Sequence, residues 1–254
     1  MNRVNAPDGT PLAFDMYEPV PPTSRALAAV LFLHDWHPRA DGLEGKWAGA
    51  GAALRDGGFA VYFLDQRGHG RSGGPRGHLS RFSQLLGDLH AFRRAVRRRA
   101  DVPQILVGDG FGGLVVLRYL ETQPGESPVA AVVMNPWLAL RRQPAVWKRL
   151  AATLADLWPT FPTGRGDGYM TAGARAELRW ARCAVVDDCA RIERPLLFML
   201  GGADPVSDAG AARDFATKLA PPARVCWYAE QGSELLQGPR AMADLRAFLS
   251  EHHS

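Results

Sequence analysis

The sequence predicts an α/β domain built on a mostly parallel, doubly wound sheet. Three observations carry this. Short apolar runs recur along the chain, longer amphipathic stretches separate them, and the runs are continuously apolar rather than alternating. A strand covered by helices on both faces has that pattern. Repeated strand–helix–strand units then give parallel pairing with right-handed crossovers.

The strand cores fall in order at Val30–Leu33, Phe59–Leu64, Ile105–Val107, Val129–Met134, Pro195–Leu200 and Arg224–Tyr228. Between the second and third, Phe82 to Arg99 places Leu85, Leu86, Leu89, Phe92 and Val96 at spacings of three and four, an amphipathic helix. Its arginines, Arg93, Arg94, Arg97, Arg98 and Arg99, suit the negative end of a helix dipole. A last helix, about Pro239 to Leu249, aligns Met242, Leu245 and Phe248 or Leu249. Residues 137–193 break the rhythm. They hold Trp137, Trp147, Trp158 and Trp180 and a Gly/Arg/Asp-rich patch at Gly164–Gly168. They read as a small helical insertion over the C-terminal edge of the sheet, where open α/β sheets bind ligands. The expected division is a core of 1–136 and 194–254 with a cap of 137–193.

Composition narrows the function classes. The 254 residues carry 30 basic and 26 acidic side chains, a net charge of +4, too small an excess to argue for nucleic acid. The three cysteines, Cys183, Cys189 and Cys226, match no metal or redox spacing and read as reduced thiols. No run approaches the roughly 20 apolar residues of a membrane span, and the N-terminus lacks a signal-peptide core. The expectation is a cytoplasmic protein without metal or cofactor.

The segment Asp65-Gln66-Arg67-Gly68-His69-Gly70-Arg71-Ser72-Gly73-Gly74 follows a buried strand and continues into Pro75-Arg76-Gly77-His78-Leu79, Phe82 and Asp88-Leu89. It closely resembles the monoacylglycerol lipase and lysophospholipase branch of the α/β-hydrolases. The order of elements over about 28–136 and 194–250 resembles that branch too. The resemblance implies an α/β-hydrolase fold with a cap and a Ser–His–Asp site at the strand ends. It also implies that the 65–74 loop is structural, with an arginine anchoring it.

The chain departs from the family at the chemistry. Leu106-Val107-Gly108-Asp109-Gly110-Phe111-Gly112-Gly113-Leu114 keeps the strand–turn–helix frame of a nucleophile elbow. The nucleophile position, however, is Gly110. Asp109 stands one position too early to replace it. A serine at such a corner carries about 1–3 kcal/mol of backbone strain, and glycine relieves it. In Leu200-Gly201-Gly202-Ala203-Asp204-Pro205-Val206 the acid position is retained at Asp204, with a turn-capping role as the alternative. In Tyr228-Ala229-Glu230-Gln231-Gly232-Ser233-Glu234-Leu235-Leu236 the family's histidine is replaced by Ser233. None of the seven histidines lies near 233 before His252 and His253, which are expected to fray. After the first core strand, His34-Asp35-Trp36-His37 replaces the family's His-Gly. By the resemblance, the Trp36 and Phe111 amides would form the oxyanion hole, and Asp35 would set a repulsive carboxylate beside it. His34 is expected to brace the loop, and His37 to be available as an acid or base.

These residues predict a protein that is not a working serine hydrolase, since triad members act as a unit. The leading expectation is a non-catalytic receptor for a small, largely apolar or acyl-type ligand between core and cap, lined by Asp35, Trp36, Phe111, Trp137 and Trp158. The alternatives are a repurposed lyase- or cyclase-type enzyme using Asp35, His37, Asp109 and Asp204, a partner of another protein, and an active lysophospholipase-like esterase.

Overall fold

A computed structural model describes residues 2–19, 25–36, 47–122, 127–141, 157–163 and 169–253. Eight strands form one sheet: β1 (Asn2–Asn5), β2 (Pro11–Tyr17), β3 (Ala29–Leu33), β4 (Ala60–Leu64), β5 (Gln104–Asp109), β6 (Ala130–Met134), β7 (Leu196–Gly201) and β8 (Arg224–Tyr228). Their spatial order is β1-β2-β4-β3-β5-β6-β7-β8. All six expected strands are present, and β3 to β8 are parallel. The N-terminal pair β1 and β2 is an additional antiparallel hairpin added at the β4 edge.

The helices are α1 (Ala48–Asp56), α2 (Phe82–Arg99), α3 (Phe111–Thr122), α4 (Ala172–Asp187), α5 (Ala209–Ala216) and α6 (Pro239–Glu251). One face of the sheet packs against α2, α3, α4 and α5, the other against α1 and α6. Helix α3 is buried from Phe111 to Glu121, as a central helix hydrophobic nearly all round should be. Helix α2 runs over the expected residues. Its first amide, Phe82 N–H, donates 2.6 Å to Glu177 Oε2 on α4, which sets a carboxylate at the positive end of the dipole. Thr171 caps α4 by accepting from Ala174 N–H, and Asp208 caps α5 by accepting from Ala211 N–H.

Two expectations about charged residues are corrected. Arg93 is not in the last turn of α2, where Arg97, Arg98 and Arg99 stand. It is buried, donating to Gln104 Oε1 (3.0 Å) and Tyr119 Oη (2.9 Å), so it bridges α2, β5 and α3. The His252 ring, expected to be free of the fold, packs edge-on against Phe248 at 4.5 Å. A further buried cluster joins α3 to the turn after α4. Arg118 Nη1 donates to Glu121 Oε2 (2.9 Å) and Asp188 Oδ2 (2.6 Å) beneath the Trp180 ring. Burial pushes the Glu121 carboxyl up to about 7, against the pull of Arg118.

The loop after β4 is structural, as expected. Arg67 makes a bidentate pair with Asp88 on α2, 2.6 Å at each contact, and also reaches Asp8 in the β1–β2 turn at 2.8 Å. Arg71 ties Asp65 to Asp15 of β2. The Ser72 hydroxyl accepts from Ala13 N–H at 2.8 Å and donates to the Asp65 carbonyl. Residues 169–171 meet the loops at the sheet's C-terminal edge, and residues 159–163 pair with 170–173. Trp36 Nε1–H donates to the Tyr169 carbonyl, Thr171 N–H to the Gly77 carbonyl and Tyr169 O–H to the Arg76 carbonyl. None of the helices is long and apolar enough to cross a membrane among the described residues.

Candidate functional site

Register builds the site. Leu33 pairs with Gly108, Asp109 with Met134, Met134 with Met199, and Gly201 with Tyr228. The residues just after each strand therefore share one edge. They are His34 to Trp36 after β3, Gly110 after β5, Asn135 after β6, Asp204 after β7 and the loop of Ser233 after β8.

Gly110 keeps the elbow conformation, with φ +50°, in the left-handed region that L side chains rarely adopt. Its N–H donates to the Met134 carbonyl (2.8 Å), and its own carbonyl accepts from Trp137 N–H (3.1 Å). Gly112 is required for close approach, because a Cβ there would collide with the Leu33 backbone. The turn is thus held in shape while its apex has no side chain.

The space where that side chain would stand is filled by Asp35. A Cβ on Gly110 would overlap all three atoms of the Asp35 carboxyl group, with 2.7 Å to Oδ2 as the longest separation. Asp35 Oδ1 accepts from Trp36 N–H at 2.8 Å and from Phe111 N–H at 2.7 Å. These are the two amides that the resemblance assigned to the oxyanion hole. In place of the expected repulsion, the Asp35 carboxylate itself takes both amides, with distances typical of charge-assisted bonds.

The surrounding groups fix this arrangement. His34 braces the loop as expected: Nδ1–H donates to the Asp35 carbonyl (2.6 Å), Nε2 accepts from Gln66 N–H (3.1 Å), and Gln66 Nε2 donates to the His34 carbonyl (2.7 Å). Trp36 is buried against Phe111 (5.0 Å between ring centroids) and His69 (4.8 Å), and Phe111 lies 6.2 Å from Trp137. His69 is a histidine close to the site that sequence reasoning assigned only to the loop. Burial among these rings, reinforced by His34, lowers it to about 3. Its Nδ1–H donates to the Arg67 carbonyl (2.9 Å), so it is a neutral packing group.

The other expected residues are placed as follows. Asp109 is buried at the end of β5. Asp204 is buried and serves the turn before α5. Its Oδ1 accepts from Val206 N–H (2.8 Å), Ser207 N–H (2.6 Å) and Ser207 Oγ (3.1 Å). Ser233 is exposed, and none of the hydrogen bonds among the described residues joins it to Asp204. Trp137 is buried in the aromatic cluster, whereas Trp158 is 69% exposed and faces solvent rather than lining the site. Trp180 packs on Arg118, away from Gly110. His37 and Trp147 lie outside the described residues. Sequence reasoning missed Asn135. It adopts φ 44°, accepts from Gly201 N–H (2.7 Å) and donates to the Gly232 carbonyl (3.1 Å), joining β6 to β7 and to the Ser233 loop. Its only sequence signal is an asparagine directly after a strand.

The family model for the serine aminopeptidase, S33 group matches residues 28–182, more than half of the chain. The chain belongs to that family. It is 41% identical over 70 residues to the monoacylglycerol lipase of Mycolicibacterium smegmatis, a stretch covering 27% of this chain and 25% of that protein. Its fold superposes on a monoacylglycerol lipase of Paleococcus ferrophilus with TM-score 0.78 and 20% identity, over 94% of this chain and 97% of the other. A soluble variant of monoglyceride lipase from Saccharomyces cerevisiae gives TM-score 0.80 and 15% identity, over 100% and 95%. The curated relatives are matched over 12% to 43% of their own lengths, so these matches span less than half of each. The fold is that of the α/β-hydrolases, with lipase and esterase relatives.

Proposed function

We propose that this chain is a non-hydrolytic member of its family that binds a small, largely apolar ligand beside the Trp36–Phe111–Trp137 cluster, between the core and the 137–193 segment. The observation that carries this reading is at the elbow. Position 110 is glycine, and the volume of a nucleophile's side chain holds the Asp35 carboxyl group. Acyl-enzyme chemistry needs a nucleophile at the turn, a base beside it and an open pair of amides for the oxyanion. Position 110 offers no attacking atom, position 233 offers a serine in place of a base, and the amides already hold an anion. Asp204, the retained acid, orders its own turn. The strand ends are where open α/β sheets bind ligands, and the Trp36, Phe111 and Trp137 rings make that edge apolar.

The test combines a fluorophosphonate probe with short p-nitrophenyl esters on the purified protein. The expected result is no serine labelled and no burst or turnover above buffer, together with saturable binding of an apolar acyl or aromatic ligand recovered intact. Labelling of any serine, with matching ester turnover, would overturn the reading.

A further inference from the structure

We propose that the Trp36 and Phe111 amides form a carboxylate-binding site whose resident occupant is the chain's own Asp35, an internal plug that small carboxylates replace once it is removed. The inference rests on the reading of the site given above and names the chemistry of one subsite within it.

The geometry supplies the argument. Two backbone N–H groups from different parts of the chain, 2.8 and 2.7 Å away, converge on the single oxygen Oδ1. Phe111 is the first residue of α3, a twelve-residue helix, so its amide also carries the positive end of the dipole. The plug and the elbow are mutually dependent. Any Cβ at position 110 would overlap the carboxyl group, so the glycine makes the room that Asp35 occupies. His34 holds the segment in place by donating to the Asp35 carbonyl, so the carboxyl group is aimed by the loop. Asp35 is half-buried, so solvent reaches the carboxyl group.

A tethered carboxylate competes with a dissolved one at an effective concentration in the millimolar range or above. Its charge also repels a second anion. Dissolved carboxylates should therefore bind the wild-type protein poorly and bind a variant without the plug better.

The experiment titrates sodium acetate and sodium benzoate, at constant ionic strength set with chloride, into wild type, Asp35→Ala and Asp35→Asn. The readout is the Trp36 and Phe111 backbone amide resonances. The expected result for Asp35→Ala is saturable movement of both amides, with an apparent Kd at least tenfold below that of wild type. Asp35→Asn, which keeps an oxygen acceptor, falls between the two. Equal responses in wild type and Asp35→Ala, or movement that chloride alone reproduces, would overturn the proposal. Should Asp35→Ala not fold, wild type still decides. Its Trp36 and Phe111 amide shifts must follow the titration of the Asp35 carboxyl carbon, and independence from it refutes the plug. Fluorophosphonate labelling of wild type would defeat the non-hydrolytic reading while leaving these amide titrations to stand or fall separately.

Discussion

Restoring a side chain at the elbow is the sharpest perturbation of this site. In Gly110→Ser the new Cβ enters the left-handed region at φ +50°. That conformation costs an L residue about 1–2 kcal/mol. The same Cβ expels the Asp35 carboxyl group from its place against the Trp36 and Phe111 amides. Each hydrogen bond to a charged group contributes about 1.5–3 kcal/mol, and half-burial argues for a combined loss of about 2–3 kcal/mol. Gly110→Ser should therefore lose about 3–5 kcal/mol of stability, and Gly110→Ala nearly as much, since Cβ rather than the hydroxyl makes the clash. Asp35→Ala alone should lose about 2–3 kcal/mol, because the same two amide bonds disappear. They can be lost only once, so Asp35→Ala/Gly110→Ser should be no less stable than Gly110→Ser. In a urea-denaturation cycle this appears as a coupling of about 2–3 kcal/mol. Additivity of the two single variants to within about 0.5 kcal/mol would refute the claim that the carboxylate fills the side-chain volume of position 110.

Stability should depend on pH through two buried groups with opposite signs. His69 is held down to about 3 by burial, whereas an unfolded histidine titrates near 6.5. The unfolded chain therefore binds a proton there that the native one does not. Stability should fall as pH drops from about 6.5 toward 3, by up to about 5 kcal/mol, and His69→Gln should remove that slope in urea titrations. Glu121, held up at about 7 by burial, binds a proton in the native state that the unfolded chain releases above about 4.5. Its contribution should decline as pH rises from about 4.5 to 7, and Glu121→Gln should flatten that part of the curve. Asp88→Ala removes the buried bidentate partner of Arg67 and leaves it only the half-exposed Asp8, so it should destabilise by about 2–4 kcal/mol in chemical denaturation, with Asp88→Asn milder.

The strands that carry the site were legible because burial on both faces forces a continuous apolar run, as in Ala29–Leu33 and Leu196–Gly201. The β1–β2 hairpin was not, because β1 is polar and four residues long, and β2 carries Asp15 at the sheet margin. At the site, the identity of position 110 followed from motif spacing alone. The seat of Asp35 did not. Its carboxylate meets an amide 76 positions away, and that meeting depends on β3 and β5 pairing with Leu33 opposite Gly108. Proximity could be expected from the family's order of elements, whereas the carboxylate's hydrogen bonds required the backbone. The role of Asp204 was open between two readings because a turn-capping aspartate and a catalytic one share a position. Its bonds to Val206 and Ser207 supply the turn.

The loop after β4 reaches in two directions. Toward the N-terminus it grips the β1–β2 hairpin through Asp8, Ala13 and Asp15, and Gly73 N–H donates 2.7 Å to the Pro11 carbonyl. Toward the sheet's upper edge, Gln66 clasps His34, the residue just before Asp35. The hairpin at the margin and the segment that carries Asp35 are therefore held by the same loop. In native-state hydrogen exchange they should belong to a single cooperative opening unit, with the amides of Ala13, Gln66 and Gly73 exchanging together. Loosening the hairpin, for instance by Asp8→Ala, would then speed exchange at Gln66, beside His34, without any change to a residue that touches Asp35.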